Sequence, residues 1–455
     1  MEMVLEFLRD VLSQPALLIG IMSCIGLIAL KRPFHKVMTG TLKPILGYLM
    51  LAAGAGVIVN NLDPLGKMIE HGFHITGVVP NNEAIVAVAQ KVLGVETMSI
   101  LVVGLLMNLC IARFTKFKYV FLTGHHSLFM ACLMSAVLGT AGLSGMELIL
   151  VGGFLMGAWS AISPAIGQSY TSKVTEGDEI AIGHFGSLGY YLSAWVAKYV
   201  GKADDSTEDI EIPEKWGFLR DSTLSTALTM IVFYLIAAFA AGSEFVATLS
   251  GDMSPYLYAV MSAMNFAVGV TIVYSGVRMI LGDLIPAFQG IATKIIPNAI
   301  PAVDCAVFFT YAPTAVVLGF ISSFIGGIIG MLILGAVGGV LIIPGLVPHF
   351  FCGATAGIYG NATGGRRGAA VGAFLNGLAI TFLPALALPV LGQLGFQNTT
   401  FGDADFAVMG LVLGNAYEWV GMAGIYGIVA IAALVLIIPN FIKTKGKVIN
   451  YVEED

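Results

Sequence analysis

Ten apolar runs of roughly bilayer-spanning length follow one another along the chain, and that repetition leaves few folds open. A hydrocarbon core of about 30 Å takes about 20 residues of helix at about 1.5 Å each. The runs lie near residues 16–30, 43–60, 98–113, 118–142 and 146–170, then near 222–243, 256–277, 315–342, 368–392 and 421–442. Residues are 57% hydrophobic and 11% charged, and mean hydropathy is +0.89, so the chain lacks the charge needed to coat a water-soluble domain of 455 residues. The fold class expected is therefore all-α, a polytopic membrane protein.

Charge orients the bundle. Lys31, Arg32, Lys36 and Lys43 follow the first run and Arg113, Lys116 and Lys118 the third, which places both loops in the cytoplasm. Residues 244–255 carry Glu244 and Asp252 without Lys or Arg and fall outside; Lys443, Lys445 and Lys447 put the tail inside. This arrangement sets the N-terminus outside and needs one further crossing near 344–364. Residues 1–14, MEMVLEFLRDVLSQ, read as an interfacial amphipathic helix and do not resemble a cleaved signal peptide. Residues 198–221 form a charged cytoplasmic linker between a first half, about 1–200, and a second, about 222–455, and are either a plain linker or a contact for a soluble partner.

Several classes are excluded. A net charge of −6 without a basic cluster argues against nucleic acid. Cys24, Cys110, Cys132, Cys305 and Cys352 lie in apolar segments without CxxC spacing, so neither a zinc site nor a disulfide framework is expected, and no metal or cofactor is assigned. No Walker, GxSxG or HExxH pattern occurs. What remains is an ion-coupled secondary transporter, a channel, or a carrier energised by an external donor.

Four segments break the apolar pattern with Gly, Pro and polar side chains at membrane depth, as broken helices lining a solute cavity do. They are Thr123 to His126, residues 181–187 (AIGHFGS), Arg278 to Asp304, and residues 350–367 (FFCGATAGIYGNATGGRR). The first part of the third segment, with mixed polarity at helical spacing, is expected to lie at the interface. An ionisable group in hydrocarbon costs at least about 2.5 kcal/mol on insertion scales, so Asp304, His125 and His184 are the candidates for solute contact. The alternatives are a helix cap for Asp304 and a neutral, backbone-bonded histidine for each of the others. His126, adjacent to His125 on a helix, is expected to point elsewhere. Arg278 and Asp283 suit an interfacial ion pair or headgroup contacts. Arg366 and Arg367 suit a topology signal, with phosphate binding as the alternative. Glu83, with Asn81 and Asn82, is expected in a solvated outer loop.

The motifs FLTGHH (121–126), IGHFGS (182–187), WVAKYVGK (195–202), GVRM followed by AFQGIATKIIPNAIPAVDCA, LIIPGLVPHFF and GATAG are long and ordered. Together they resemble the ascorbate-type membrane IIC component of the bacterial phosphoenolpyruvate-dependent phosphotransferase system. The resemblance implies a multi-pass homodimer of the bacterial inner membrane with a cytoplasmic C-terminus. It implies about eleven spans with re-entrant or broken helices in an inverted repeat, and a mobile substrate-binding core interleaved with a dimer-forming scaffold. The substrate would be ascorbate or a related sugar acid, carried by an elevator-like movement and phosphorylated from a phosphocysteine on a separate cytoplasmic IIB protein. Substrate contacts map onto Gly54, His125, His184 and Asp304. Phe185, Ala354 and Thr355 join them from the IGH and GATAG motifs, and Asp304 or His184 would assist deprotonation. Family members carry glutamine where this chain has Phe129 and Phe185, and Glu83 falls near a family tyrosine.

Overall fold

The computed structural model describes Val11 and residues 14–74, 77–80, 82–210, 222–392 and 399–441. Most of the amphipathic N-terminal stretch, residues 211–221 of the linker and the tail lysines lie outside the described residues, as does the side chain of Glu83. From the N-terminus come α1 (Pro15–Ala29), α2 (Phe34–Gly72), β1 (Val79–Pro80), α3 (Asn82–Phe114), β2 (Tyr119–Phe121), α4 (Gly124–Thr140), α5 (Gly145–Thr175), β3 (Ala181–Ile182) and α6 (Ser187–Val200). Beyond the linker follow α7 (Ser222–Ala241), α8 (Ser243–Ser250), α9 (Pro255–Lys294), β4 (Ile300–Val303), α10 (Pro313–Ala336), α11 (Leu346–Gly392), β5 (Thr399–Thr400), α12 (Ala404–Val420) and α13 (Met422–Ile437).

The molecule is helical, as composition requires. Seven of the described helices are long and apolar enough to span a bilayer, or eight if α7 and α8, bent by 117° at Gly242, make one span. About eleven were expected, and the difference has identifiable sources. The expected span over 118–142 begins as strand β2, leaving α4 with 17 residues, and α6 has 14. The 47 residues of α11 include a break at Gly364 and Gly365, where Gly365 has φ of +60°. Two arms fold back there: a Cβ on Gly364 would strike Ala197, and Gly360 lies against the backbone of Gly368 and Ala369.

The helices pack as two groups. One comprises α1, α2, α7, α8 and α9, with α2 lying along α9; the other comprises α3 to α6 and α10 to α13, with α11 packed between α10 and α6. Glycines seven residues apart on each partner let α2 and α9 touch backbone to backbone. A Cβ on Gly47 would meet the Gly276 carbonyl at 2.8 Å, and one on Gly54 the Gly269 carbonyl at 2.7 Å. The outer faces of α2 (Leu42, Leu46, Leu49), α7 (Val232, Ile236, Phe239) and α9 (Leu257, Met264, Val268) are exposed and apolar, as a surface that meets lipid or another subunit would be. Trp419, Trp195 and Tyr199 are exposed near helix ends, where interfacial aromatics sit.

The segment beginning at Arg278 continues α9 as far as Lys294, with Ile280, Leu284 and Ala287 keeping one face buried. Asp283 consequently pairs with Lys43 of α2 at 3.7 Å and not with Arg278. Arg366 likewise does more than mark topology: it donates to the backbone carbonyls of Ser206 and Asp209 and lies 3.3 Å from Asp205, tying the linker to the break in α11.

Helix breaks free backbone groups that lipid cannot satisfy. Here the breaks satisfy one another. β2, β4 and β3 form a buried three-stranded parallel sheet with β4 central, in the registers Phe121↔Ala302 and Ile182↔Val303. Further bonds run from Leu122 N to Ala302 O (2.9 Å) and from Gly183 N to Val303 O (2.7 Å). β1 and β5 pair in parallel as Val79↔Thr399 and Pro80↔Thr400.

Candidate functional site

The two small sheets set the site. Each strand of the first is followed within a few residues by an ionisable one: β2 by His125 and His126, β3 by His184, and β4 by Asp304. Parallel pairing brings these strand ends to one level. The second sheet does the same with Asn82 after β1 and Asp403 after β5. All but one of these side chains are largely buried, His125 being the most open at 38% exposure.

They surround a cavity of about 790 Å³ between the two helix groups. Its wall includes Tyr48, His125, His126, Phe129, His184, Asp304 and Asp403, and its mouth carries Asp63, Lys67 and Glu70 from the C-terminal part of α2. Asp304 is held by the Ala306 N–H at 3.1 Å and lies 3.3 Å from His125 Nε2. The Nδ1 of His125 lies 3.1 Å from the Tyr48 hydroxyl, so one imidazole links α2 of the first group to Asp304 across the cavity. A proton on Nε2 directed at the carboxylate leaves Nδ1 to accept from Tyr48.

His184 is fixed from behind. Its Nδ1 accepts the Gly186 N–H at 3.1 Å and lies 2.8 Å from the Tyr190 hydroxyl. Asp403 Oδ1 is 4.0 Å away, but a nitrogen already accepting an N–H cannot donate to it, so the two do not form an ion pair. Asp403 takes its bonds from Asn82 Nδ2 at 2.6 Å and Cys352 Sγ at 2.8 Å. Asp405, fully buried, accepts from Ser187 Oγ, Leu188 N and Trp159 Nε1, anchoring the start of α6 just beyond His184.

Of the residues singled out in the sequence, His125, His184 and Asp304 come together in the cavity wall. Gly54 does not: it lies in the α2–α9 crossing, against Gly269 and Val273. Phe185 has its ring buried against Phe121, with ring centres 4.6 Å apart, and faces away from the cavity. Ala354 and Thr355 are buried within α11, and the Thr355 hydroxyl bonds back to Phe351 O at 2.8 Å. His126 departs from expectation by reaching the same cavity as His125, because both sit in the first turn of α4, where the helix end itself faces the cavity. Asn82 is likewise no solvated loop residue. Asp403, Asn82 and Tyr48 are site residues that sequence reasoning missed; Asp403 alone carried a signal, an acid opening an apolar run as Asp304 does.

A bundle of apolar helices whose broken segments gather ionisable side chains around one buried cavity defines a membrane permease for a small polar solute. Comparison with known proteins narrows the class. Residues 10–405 match the family of sugar-specific permease components of the phosphotransferase system, and the chain belongs to that family. It is similar to the ascorbate-specific phosphotransferase-system EIIC component of Mycoplasma pneumoniae, with 28% identity over 417 residues covering 78% of this chain. The match takes in 62% of that relative, so the chain spans less than two thirds of its length.

Proposed function

We propose that this protein binds ascorbate or a related sugar acid from outside the cell, carries it across the bacterial inner membrane and presents it for phosphorylation by a separate cytoplasmic IIB protein. The observation that carries the reading is the convergence of His125, His184 and Asp304 on one cavity, from the three motifs that resemble ascorbate-type permeases. A polyhydroxy ring needs both acceptors and donors; Asp304 supplies an acceptor and His184 a donor. Because His184 Nδ1 is occupied by a backbone N–H, the base that would assist phosphoryl transfer is Asp304, with His184 orienting the solute.

The division into two helix groups, bridged at the site by Tyr48 and His125, supports an elevator-like movement of the group bearing the strand ends against the group built on α2 and α9. The basic residues before α2 mark its start as cytoplasmic, so a mouth at Asp63, Lys67 and Glu70 opens outward. The exposed apolar faces of α7 and α9 suit a homodimer contact or lipid, and a cytoplasmic C-terminus fits the same charge rule.

The test is uptake of radiolabelled ascorbate by vesicles loaded with phosphoenolpyruvate and the soluble phosphotransferase proteins. Recovery of the internal label as a phosphate ester, dependent on phosphoenolpyruvate, is the expected result. Unmodified internal ascorbate that follows an ion gradient would replace this reading with secondary transport, and absence of uptake would remove ascorbate as substrate.

A further inference from the structure

His126 has no role in the reading above, yet it is 3% exposed, lines the cavity and lies with its ring 3.7 Å from that of His184. Its Nδ1 accepts the Phe185 N–H at 3.2 Å, as the Nδ1 of His184 accepts the Gly186 N–H. A backbone N–H can only donate, so both neutral rings carry their proton on Nε2. The two nitrogens of an imidazole point in nearly opposite directions. Anchoring Nδ1 in the backbone therefore turns Nε2 away from it, and among the described residues neither Nε2–H has an acceptor. Both rings line the cavity, so a bound molecule can supply the acceptor that neither donor finds among those residues. Neither nearby carboxylate is bonded to these nitrogens: Asp304 accepts from Ala306 and lies against His125, and Asp403 accepts from Asn82 and Cys352.

A metal ion would be the other occupant of a buried His126, His184, Asp403 group. The tautomers oppose it. A metal-ligating imidazole directs a lone pair at the ion and donates its other N–H to an acceptor, whereas here the second nitrogen faces an N–H in both rings.

We propose that His126 is a substrate-contacting, specificity-determining residue: with His184 it presents a pair of Nε2–H donors to an acceptor-only oxygen of the solute, the enolate or carbonyl oxygen of a sugar acid. The inference rests on the permease reading and names which end of the solute enters first. Hydroxyls go to Asp304, and the oxygen that carries negative charge goes to the paired imidazoles.

Glutamine places an amide N–H where Nε2 stands, while asparagine places an acceptor where Nδ1 stands. The purified full-length protein and the variants His126→Gln and His126→Asn would be titrated calorimetrically with ascorbate and with L-galactono-1,4-lactone, its neutral analogue without the enediol. Glucuronate and glucose would serve as a second acid and neutral pair, and thermal unfolding would check folding. The wild type is expected to prefer the acidic member of a pair. His126→Gln should keep that preference within a few-fold, and His126→Asn should lose about tenfold or more of it, the worth of one hydrogen bond to a charged oxygen. A preference in the asparagine variant less than tenfold below that of the glutamine variant, or a wild type without preference for either acid, overturns the proposal. Binding of glucuronate but not ascorbate, with the same ordering of variants, would remove ascorbate and leave the donor pair standing.

Discussion

Gly54 separates two accounts of the site cleanly. By family resemblance it touches substrate; in the fold it faces α9, where an added Cβ would lie 2.7 Å from the Gly269 carbonyl oxygen and 2.8 Å from Val273 N. Both are backbone atoms, so no side chain can swing aside. Ordinary contact begins near 3.4 Å, and Gly54→Ala must therefore push the helices apart by about 0.7 Å locally or bend α2. Over-packing of this kind costs about 1–3 kcal/mol. Gly47 and Gly276 one crossing further along would be strained in turn, since the two contacts share the same pair of helices. Differential scanning fluorimetry in detergent should show a lowered unfolding midpoint, while calorimetry on the folded fraction should give ascorbate affinity within about twofold of wild type. An unchanged midpoint with affinity weakened tenfold would refute the packing argument and restore Gly54 to the substrate site.

Asp304→Asn should fold, since the amide oxygen can still accept the Ala306 N–H, but it should lower affinity about tenfold or more by removing the charged partner of His125 and of the solute hydroxyls. Unchanged affinity and phosphorylation in loaded vesicles would end both its binding and its base role. Tyr48→Phe removes a bond between the two helix groups worth about 0.5–1.5 kcal/mol, so the rate of vesicle uptake should change by about two- to tenfold, rising if breaking this bond limits movement. An uptake rate and affinity both equal to wild type would show that the bond does not restrain the transition.

The sequence displayed part of this site and hid the rest for physical reasons. Asp304, His125 and His184 stand out because an ionisable group inside an apolar run must have a use or a partner. Asp403 opens an apolar run as Asp304 does, but its stretch, FGDAD, also reads as a surface turn, and Asn82 stands at the head of a helix as an ordinary loop residue would. Only the pairing of β1 with β5 joins them, across 321 positions of sequence. Strands of two to four residues carry no period that a pattern can detect, so both sheets were invisible in advance. The expectation that His125 and His126 diverge used the angular step along a helix flank. It fails at a helix end, where the first turn presents consecutive residues to the same space.

The small sheets also explain why the polar side chains occur where they do. A helix broken inside a bilayer exposes several N–H and C=O groups, each costing free energy unless paired. Pairing three breaks with one another as parallel strands removes that cost and fixes their mutual register to within a residue. The residues that follow each strand then start from one level: His125, His184 and Asp304, four, two and one positions on, arrive together because β2, β3 and β4 end together. Backbone satisfaction and site assembly are thus one event in this fold. The helices that begin just beyond, α4 and α6, are short because their chains spend the first part of the crossing as strand. That leaves the cavity walled by strand ends and helix starts, where N–H groups point at Nδ1 of His126 and His184 and set their tautomers.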